Sequence, residues 1–152
     1  TCRHLSVDVR NARMDAGDTY AIRLDAAAAA AFTGPLTFVD RSYGEINVNP
    51  SLLGDVVLGR KDIGTSYHIA VTVDDALQAV SCVTRGEDLL ESTHVHRLLQ
   101  RLLGLPEPDY AHHRLLVNAE GQRLAKRDKA VTIRSLRASG QSAAEVRAAV
   151  GF

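Results

Sequence analysis

The chain has 152 residues, of which 45% are hydrophobic and 24% are charged, and this composition is typical of a globular protein. Its 18 basic and 18 acidic side chains give a formal net charge of zero, which argues against a protein coated with nucleic acid but leaves room for a local basic patch. No apolar run approaches the roughly 18 residues of a membrane span, and no signal peptide is recognisable. The two cysteines, Cys2 and Cys82, do not predict a disulfide framework and favour a cytoplasmic protein.

Residues 1–58 are predicted to be rich in β-structure, because short apolar segments alternate with turn residues. We interpret this part as a small insertion on another domain. An alanine run at residues 26–31 is compatible with a short helix or a loop, since alanine favours helix but the run is brief and precedes Gly34 and Pro35. The predicted strands cover residues 7–10, 20–24, 36–40, 45–48 and 54–58.

Residues 59–130 are predicted to form an α/β domain with a parallel sheet, because helices and strands alternate along them. The first helix follows Ser66, whose hydroxyl is suited to an N-cap, and its apolar residues recur with helical spacing. A buried strand at residues 79–84 comes next and leads into a polar turn at residues 85–88. The apolar face of the helix comprises Ile69, Ala70, Val73, Ala76 and Leu77.

A second helix is predicted to be capped by Ser92 or Thr93 and to end at Gly104, with a strand at residues 110–117 after it. Residues 131–152 are predicted to form a short helical tail. The apolar face of the second helix comprises Val95, Leu98, Leu99, Leu102 and Leu103. In the tail, a capping box is formed by Ser142 and Glu145.

Arg85 is a candidate ligand-binding residue, because it follows a buried strand at the edge of the sheet where α/β proteins bind ligands. Its guanidinium is suited to holding a carboxylate through two parallel hydrogen bonds. The alternative is an ion pair with Glu87 or Asp88. Tyr67, in the first turn of its helix, is suited to presenting its hydroxyl to the same ligand, and its alternative is a half-buried packing role.

A basic segment spans residues 123–137, which contain six cations against one acid. It is interpreted either as a solvated basic face or as a clamp for phosphate groups, because lysines beside a glycine turn can reach phosphate oxygens. The cations are Arg123, Lys126, Arg127, Lys129, Arg134 and Arg137.

Three pairs of residues of the types that bind metals are close in sequence, but the two side chains of each pair point in different directions. Neighbours on a helix point about 100° apart and neighbours on a strand point to opposite faces, so no pair converges on one ion. The sequence therefore predicts no complete metal site within these residues. The pairs are Asp74 with Asp75, His94 with His96 and His112 with His113.

The segment SYHIAVTVDDALQAVSCVTRGEDLLESTHVHRLLQRLLGLPEPDYAHHRLLVNAEGQRLAKRD, residues 66–128, resembles the second half of the catalytic domain of class I glutamyl-tRNA synthetases. These enzymes have a Rossmann-like fold. The ending LRASGQSAAEVRAAVGF is more similar to a shortened branch of the family, the glutamyl-Q tRNA(Asp) synthetases, which lack an anticodon-binding domain. The resemblance implies an enzyme that activates L-glutamate with ATP and Mg²⁺ and transfers it to queuosine at the wobble position of tRNA(Asp).

The same resemblance implies site residues. The segment RLAKR matches the family's KMSKS-type signature, which binds ATP, and its second lysine, Lys126, is implied to stabilise the phosphates as pyrophosphate leaves. Tyr67 and Arg85 match the residues that bind glutamate, and Cys2 matches the last cysteine of a zinc motif. The implied ATP-binding residues are Arg123, Leu124, Ala125, Lys126 and Arg127, in which Arg123 and Ala125 replace the first lysine and the serine of the signature.

The family's HIGH-type motif and its other zinc ligands have no match within the 152 residues. We therefore expect the chain to be a carboxyl-terminal part of such an enzyme, inactive alone because both halves of the ATP site are needed, and unable to hold zinc through one ligand. An exposed sheet edge would favour dimerisation of this part, whereas the intact enzyme is expected to be a monomer. Two alternatives are a part of an ordinary glutamyl-tRNA synthetase and a non-catalytic tRNA-binding module.

Overall fold

The computed structural model describes residues 2–117, 123–124 and 131–151. The helices are α1 (Val7–Asp15), α2 (Ala26–Thr33), α3 (Tyr67–Leu77), α4 (Leu90–Leu103), α5 (Ile133–Ala138) and α6 (Ala143–Val150). The strands are β1 (Ile22–Arg23), β2 (Thr37–Asp40), β3 (Gly44–Asn47), β4 (Val57–Gly59), β5 (Cys82–Gly86) and β6 (Asp109–His113). Two single 3₁₀ turns cover Cys2–His4 and Glu87–Leu89.

A four-stranded sheet with the order β3-β2-β6-β5 forms the centre of the fold. Strands β2 and β3 form an antiparallel hairpin, whereas β6 runs parallel to β2 on one side and to β5 on the other. Strands β1 and β4 form a separate antiparallel pair. The helices and the parallel strands confirm the predicted α/β class. The four-stranded sheet takes strands from both sides of the predicted boundary at residues 58 and 59, and the division into three domains stays a prediction.

The apolar core lies where α4 packs against α2 and the sheet. Three residues of α4, Val95, Leu98 and Leu99, are almost fully buried, and their spacing is that of one helix face, as predicted. Phe38 of β2 is completely buried, and its ring meets the ring of Tyr110 edge to face with the centroids 5.5 Å apart. From α4, His94 meets the Phe38 ring edge to face and Gln100 donates to the Tyr110 hydroxyl at 2.8 Å, which places α4 over β2 and β6.

Most predicted elements are confirmed, with shifted ends. The strands predicted at residues 36–40, 45–48 and 54–58 correspond to β2, β3 and β4, and α3, α5 and α6 are present as predicted. The alanine run is helical because Asp25 caps α2, its carboxylate accepting a hydrogen bond from the Ala28 amide at 3.0 Å. Gly104, with φ of 64°, ends α4 in the left-handed conformation that favours glycine.

The strand predicted at residues 7–10 is wrong, because this segment is the first turn of α1. The alternation of valine with polar residues suggested a strand, but the Ser6 hydroxyl accepts a hydrogen bond from the Val9 amide at 3.3 Å and starts a helix. The strand predicted at residues 20–24 is reduced to Ile22–Arg23.

One predicted helix cap is wrong, and another is confirmed in position but makes no capping hydrogen bond. Helix α4 begins at Leu90, so Ser92 and Thr93 lie inside it, and Thr93 is completely buried. Ser66 occupies the N-cap position of α3, but its side chain makes no capping hydrogen bond. The predicted strand at residues 79–84 begins later, at Cys82, because the chain turns at Ala79 with φ of 52°.

Among the described residues, no helix combines the length and apolar character needed to cross a membrane.

Candidate ligand site around Arg85

The side chain of Arg85 is buried at the carboxyl end of β5 and is only 9% exposed. The parallel register of β5 and β6 places His112 beside it, and α4 covers both with Thr93 and His96. The guanidinium donates from Nε to His112 Nε2 at 3.1 Å and from Nη1 to His96 Nδ1 at 3.1 Å. Its Nη2 donates to Thr93 Oγ1, and the guanidinium carbon lies 5.5 Å from the centre of the Tyr110 ring.

Arg85 retains binding capacity for an anion. A guanidinium has five N–H groups, and the three hydrogen bonds above leave two of them without an acceptor among the described residues. All three acceptors are side chains without a carboxylate. The alternative ion pair with Glu87 or Asp88 does not form: Glu87 accepts from the Tyr43 hydroxyl at 3.2 Å, and Asp88 pairs with Arg123 at 2.6 Å. A buried guanidinium that no carboxylate contacts directly keeps donors with which it can bind the carboxylate of a ligand.

The hydrogen bonds of Arg85 determine the proton positions on His96. Because a guanidinium only donates, His96 Nδ1 must accept, and its proton lies on Nε2. That Nε2 lies 3.1 Å from His68 Nδ1, so His96 donates to His68. Burial, followed by the charge of Arg85 and the neighbouring His68, lowers the pKa of His96 from 6.5 to about 3. The pKa of His68 is also lowered, first by burial and then by Arg85.

Tyr67 is the first residue of α3, as predicted, and it is half exposed. Its ring meets the rings of His68 and His96 edge to face, each with centroids 5.6 Å apart. Tyr67 therefore belongs to the same side-chain cluster as Arg85, through His96. The Oγ of the preceding Ser66 is buried and has no hydrogen-bond partner in the described parts of the chain.

The predicted ATP-binding segment begins near the same end of β5. Arg123 Nη1 contacts Asp88 Oδ2 at 2.6 Å, and Asp88 lies in the 3₁₀ turn that follows β5. The Leu124 amide donates to the carbonyl oxygen of Leu116 at 3.0 Å. The rest of the predicted segment, Ala125, Lys126 and Arg127, lies outside the described residues.

Gly86 separates Arg85 from this turn and leaves no room for a side chain. A Cβ at this position would lie 2.5 Å from Asp88 Oδ1 and 2.9 Å from Leu115 Cδ2. We expect Gly86→Ala to lower the free energy of unfolding by about 1–3 kcal/mol, because Leu115 and the Asp88–Arg123 pair must move. Urea unfolding of the variant measures this loss.

The matched control for Gly86→Ala is the same substitution in a chain that already carries Asp88→Ala and Leu115→Ala. There the added methyl group meets neither neighbour, and its cost should be close to zero. An equal cost in both backgrounds would mean that the crowding by Asp88 and Leu115 is not the cause.

Cys2 is exposed in the 3₁₀ turn Cys2–His4. In the parts of the chain that the structure describes, no group of three or more His, Cys, Asp or Glu side chains is arranged to hold a metal ion. The described residues therefore do not form a zinc site around Cys2.

Sequence reasoning missed two residues of this cluster. Asp40, the last residue of β2, lies behind His112, and Thr93 faces Arg85 from α4. The signal for Asp40 was a carboxylate at the end of a predicted strand. His112 and His96 were considered only as metal ligands. The predicted divergence of His94 from His96 is confirmed, because His94 accepts from the Asn49 amide at 3.0 Å and not from Arg85.

Comparison with known proteins shows the family to which the chain belongs. Residues 1–150 match the family described as "tRNA synthetases class I (E and Q), catalytic domain". A glutamyl-Q tRNA(Asp) synthetase of Rhodobacter capsulatus is 50% identical over 122 residues, which are 79% of this chain and 43% of that protein. The glutamyl-Q tRNA(Asp) synthetase of Nocardia farcinica is 44% identical over 148 residues, 97% of this chain and 45% of that protein. The chain thus spans less than half the length of these relatives.

A crystal structure of the glutamate-tRNA synthetase from Elizabethkingia anophelis superposes on this fold with a TM-score of 0.66. The two are 31% identical, and the match covers 82% of this chain and 24% of that chain. The similarity confirms the predicted fold class and the predicted resemblance. The chain belongs to the class I tRNA synthetases for E and Q, as part of their catalytic domain.

Proposed function

We propose that the protein containing this chain activates L-glutamate with ATP, and that Arg85 holds a carboxylate of the glutamate. The observation that carries the proposal is the buried guanidinium with two N–H groups left over and no carboxylate contact among the described residues. Two N–H groups suit the two oxygens of one carboxylate. Tyr67 lies beside the cluster, half exposed, and its hydroxyl is proposed to contact the same amino acid.

In the proposed reaction, the α-carboxylate of glutamate attacks the α-phosphorus of ATP. The bond between the α-phosphorus and the oxygen that bridges it to the β-phosphate breaks, and pyrophosphate leaves. Mg²⁺, when bound to ATP, would balance part of the negative charge of the phosphates. Because the α-carboxylate must stay free to attack, Arg85 is assigned to the side-chain carboxylate, which distinguishes glutamate from uncharged amino acids. This assignment follows from the chemistry of the step and from Arg85 being the guanidinium buried in this cluster among the described residues.

The ATP is proposed to contact residues 123–127, with Lys126 stabilising the charge on the departing pyrophosphate. Arg123 supports this placement, because its contact with Asp88 holds the start of the segment close to the end of β5 that carries Arg85. The charge on Arg123 is balanced by Asp88 here, so phosphate binding would exchange one anionic partner for another.

The activated glutamate is proposed to pass to queuosine in tRNA(Asp). The support is the name of the relatives that are 50% and 44% identical, both glutamyl-Q tRNA(Asp) synthetases. Arg134 and Arg137 on α5 are exposed, and they are proposed to contact tRNA phosphates. A cytoplasmic monomer is the proposed form, since tRNA substrates are found in the cytoplasm.

The second candidate is charging of tRNA(Glu). It is favoured by the glutamate–tRNA ligase 2 of Acidithiobacillus ferrooxidans, which is 40% identical over 146 residues, 96% of this chain and 30% of that protein. Both candidate functions include activation of glutamate, and they differ in the tRNA that receives it. The non-catalytic tRNA-binding alternative does not explain a buried arginine with spare donors.

The test is glutamate-dependent exchange of pyrophosphate into ATP by the protein expressed from its complete gene. We expect exchange with L-glutamate and none with L-glutamine. Labelled glutamate should then pass to tRNA(Asp) that carries queuosine, and not to tRNA(Asp) without it. Absence of glutamate-dependent exchange would refute the proposed activation, and transfer to tRNA(Glu) instead would select the second candidate.

The 152 residues alone are proposed not to catalyse this exchange. The reason is that the adenylate-forming step requires both walls of the ATP site, and the HIGH-type motif has no match in these residues. Exchange by the 152-residue chain would contradict this part of the proposal.

A further inference from the structure

Asp40 and His112 form a completely buried pair directly behind Arg85. Their side chains are both 0% exposed, and Asp40 Oδ2 lies 2.5 Å from His112 Nδ1. The same Oδ2 accepts from the His112 amide at 3.2 Å, while Oδ1 accepts from the amides of Ser42 and Tyr43 at 2.8 and 3.1 Å. Four hydrogen bonds therefore hold the Asp40 carboxylate in one orientation.

This carboxylate is charged at neutral pH. Burial alone would raise the pKa of Asp40, but the hydrogen bonds from the His112 ring and from the amides of Ser42 and His112 outweigh burial and lower that pKa. Asp40 is thus a fixed negative charge inside the fold, one imidazole ring away from the Arg85 guanidinium.

The His112 ring donates a hydrogen bond to Asp40 and accepts one from Arg85. Its Nδ1 faces a carboxylate and must donate, which leaves the lone pair on Nε2 to accept from Arg85 Nε at 3.1 Å. The negative charge of Asp40 therefore acts on Arg85 through the ring without occupying the outer N–H groups of the guanidinium. A carboxylate in direct contact with Arg85 would take the donors that a ligand needs.

We propose that Asp40 and His112 are positioning residues for Arg85. They supply its counter-charge from behind and fix the plane of the guanidinium, so that its two remaining N–H groups face an incoming carboxylate. The inference rests on the proposed function for the identity of that carboxylate, glutamate. The arrangement of Asp40, His112 and Arg85 itself does not depend on it.

Two substitutions of His112 test the roles of its two ring nitrogens separately. In His112→Gln the amide oxygen stands near the position of Nε2 and can accept from Arg85. In His112→Asn the shorter amide stands near the position of Nδ1, so it can donate to Asp40 but does not reach Arg85. Asp40→Asn removes the charge and can place an N–H against Nδ1, which would move the ring proton to Nε2 and against the Arg85 donor.

The first readout is kinetic, on the protein expressed from its complete gene. We expect the KM for glutamate to rise about tenfold or more in Asp40→Asn and His112→Asn, and less in His112→Gln, with the KM for ATP unchanged. The control is His94→Gln, which removes another buried histidine of this region, one that contacts Asn49 and Phe38 instead of Arg85. It should leave the KM for glutamate unchanged.

The second readout is independent of activity. In ¹⁵N–¹H spectra, the Nε–H of Arg85 should exchange slowly with water in the unsubstituted protein and in His112→Gln, and faster in His112→Asn and Asp40→Asn. Equal exchange in all four would overturn the inference, as would altered exchange with an unchanged KM for glutamate. If the unsubstituted protein does not use glutamate at all, the proposed function fails, and the exchange of the Arg85 Nε–H alone decides the positioning role.

Discussion

Arg85→Met is expected to raise the KM for glutamate about 100-fold or more while changing the free energy of unfolding by less than about 2 kcal/mol. The affinity is lost because methionine replaces the aliphatic part of the arginine side chain but has no N–H group to donate to a carboxylate. Stability changes little because two effects oppose each other. Three hydrogen bonds disappear, and with them the cost of keeping a cation buried without a carboxylate contact.

Arg97 offers a matched control on the neighbouring helix. Its side chain is 13% exposed, and it pairs with Glu107 at 2.6 Å and donates to the carbonyl oxygen of Thr37 at 2.9 Å. Arg97→Met should cost about 1–3 kcal/mol of stability and leave the KM for glutamate unchanged. The two arginines thus have opposite expected profiles. Arg97 contacts a carboxylate of the fold directly, whereas Arg85 has its counter-charge, Asp40, one imidazole ring away and is proposed to contact the carboxylate of the ligand.

Glutamate-dependent pyrophosphate exchange measures the affinity of both variants, and urea unfolding measures their stability. Arg85→Lys should not restore the affinity, because an ammonium lacks the planar pair of donors that matches a carboxylate. A KM for glutamate that is the same in Arg85→Met as in the unsubstituted protein would remove Arg85 from the binding site.

The sequence was sufficient to predict the elements whose apolar spacing reflects burial. Val95, Leu98 and Leu99 of α4 recur with helical spacing and are the residues that pack in the core. The pattern failed at α1, where Val7 and Val9 alternate with polar residues as in a strand. No residue of α1 is buried, so its apolar pattern carries no information about a core, and the Ser6 cap decides its structure.

The site was predictable only at the level of single residues. Arg85 was placed after a strand that was predicted to be buried, whereas it lies within β5, an edge strand of which only Arg85 itself is buried. Tyr67 was correctly placed at the start of a helix. The contacts that surround Arg85 depend on which strands and helices are neighbours in the fold. Asp40 and His112 are 72 residues apart, and they meet because β2 and β6 are adjacent and parallel. No local pattern around either residue contains this information.

The histidines illustrate the same limit. The expectation that His112 and His113 point to opposite faces is confirmed, with His112 buried and His113 exposed. That argument excluded a shared metal ion, but it could not indicate what a single buried histidine does. His112 and His96 lie on different elements, and only the packing of α4 on the sheet brings both to one guanidinium.

The buried histidines also make folding sensitive to acid. The pKa of His96 is about 3 in the fold, against an ordinary value of 6.5. Between these two pH values the unfolded chain binds a proton at this residue and the folded chain does not, so stability falls as the pH is lowered through this range. His96 alone should contribute a slope of about 1.4 kcal/mol per pH unit. His68 and His94 have pKa values lowered by burial as well, and they add to the slope.

His96→Gln is therefore expected to flatten the dependence of the free energy of unfolding on pH by about 1.4 kcal/mol per pH unit. Urea unfolding between about pH 4.5 and 6.5 measures this effect as the difference in slope between the variant and the unsubstituted protein, because both proteins contain His68, His94 and Asp75, whose pKa values are also shifted. The stability from the lowered pKa of Asp40 is lost only below its ordinary value of 3.8. His113→Gln, which replaces an exposed histidine, is the control and should keep the original slope. If His96→Gln keeps that slope too, His96 takes up its proton as easily inside the fold as in the unfolded chain, and the cluster around Arg85 is open to water.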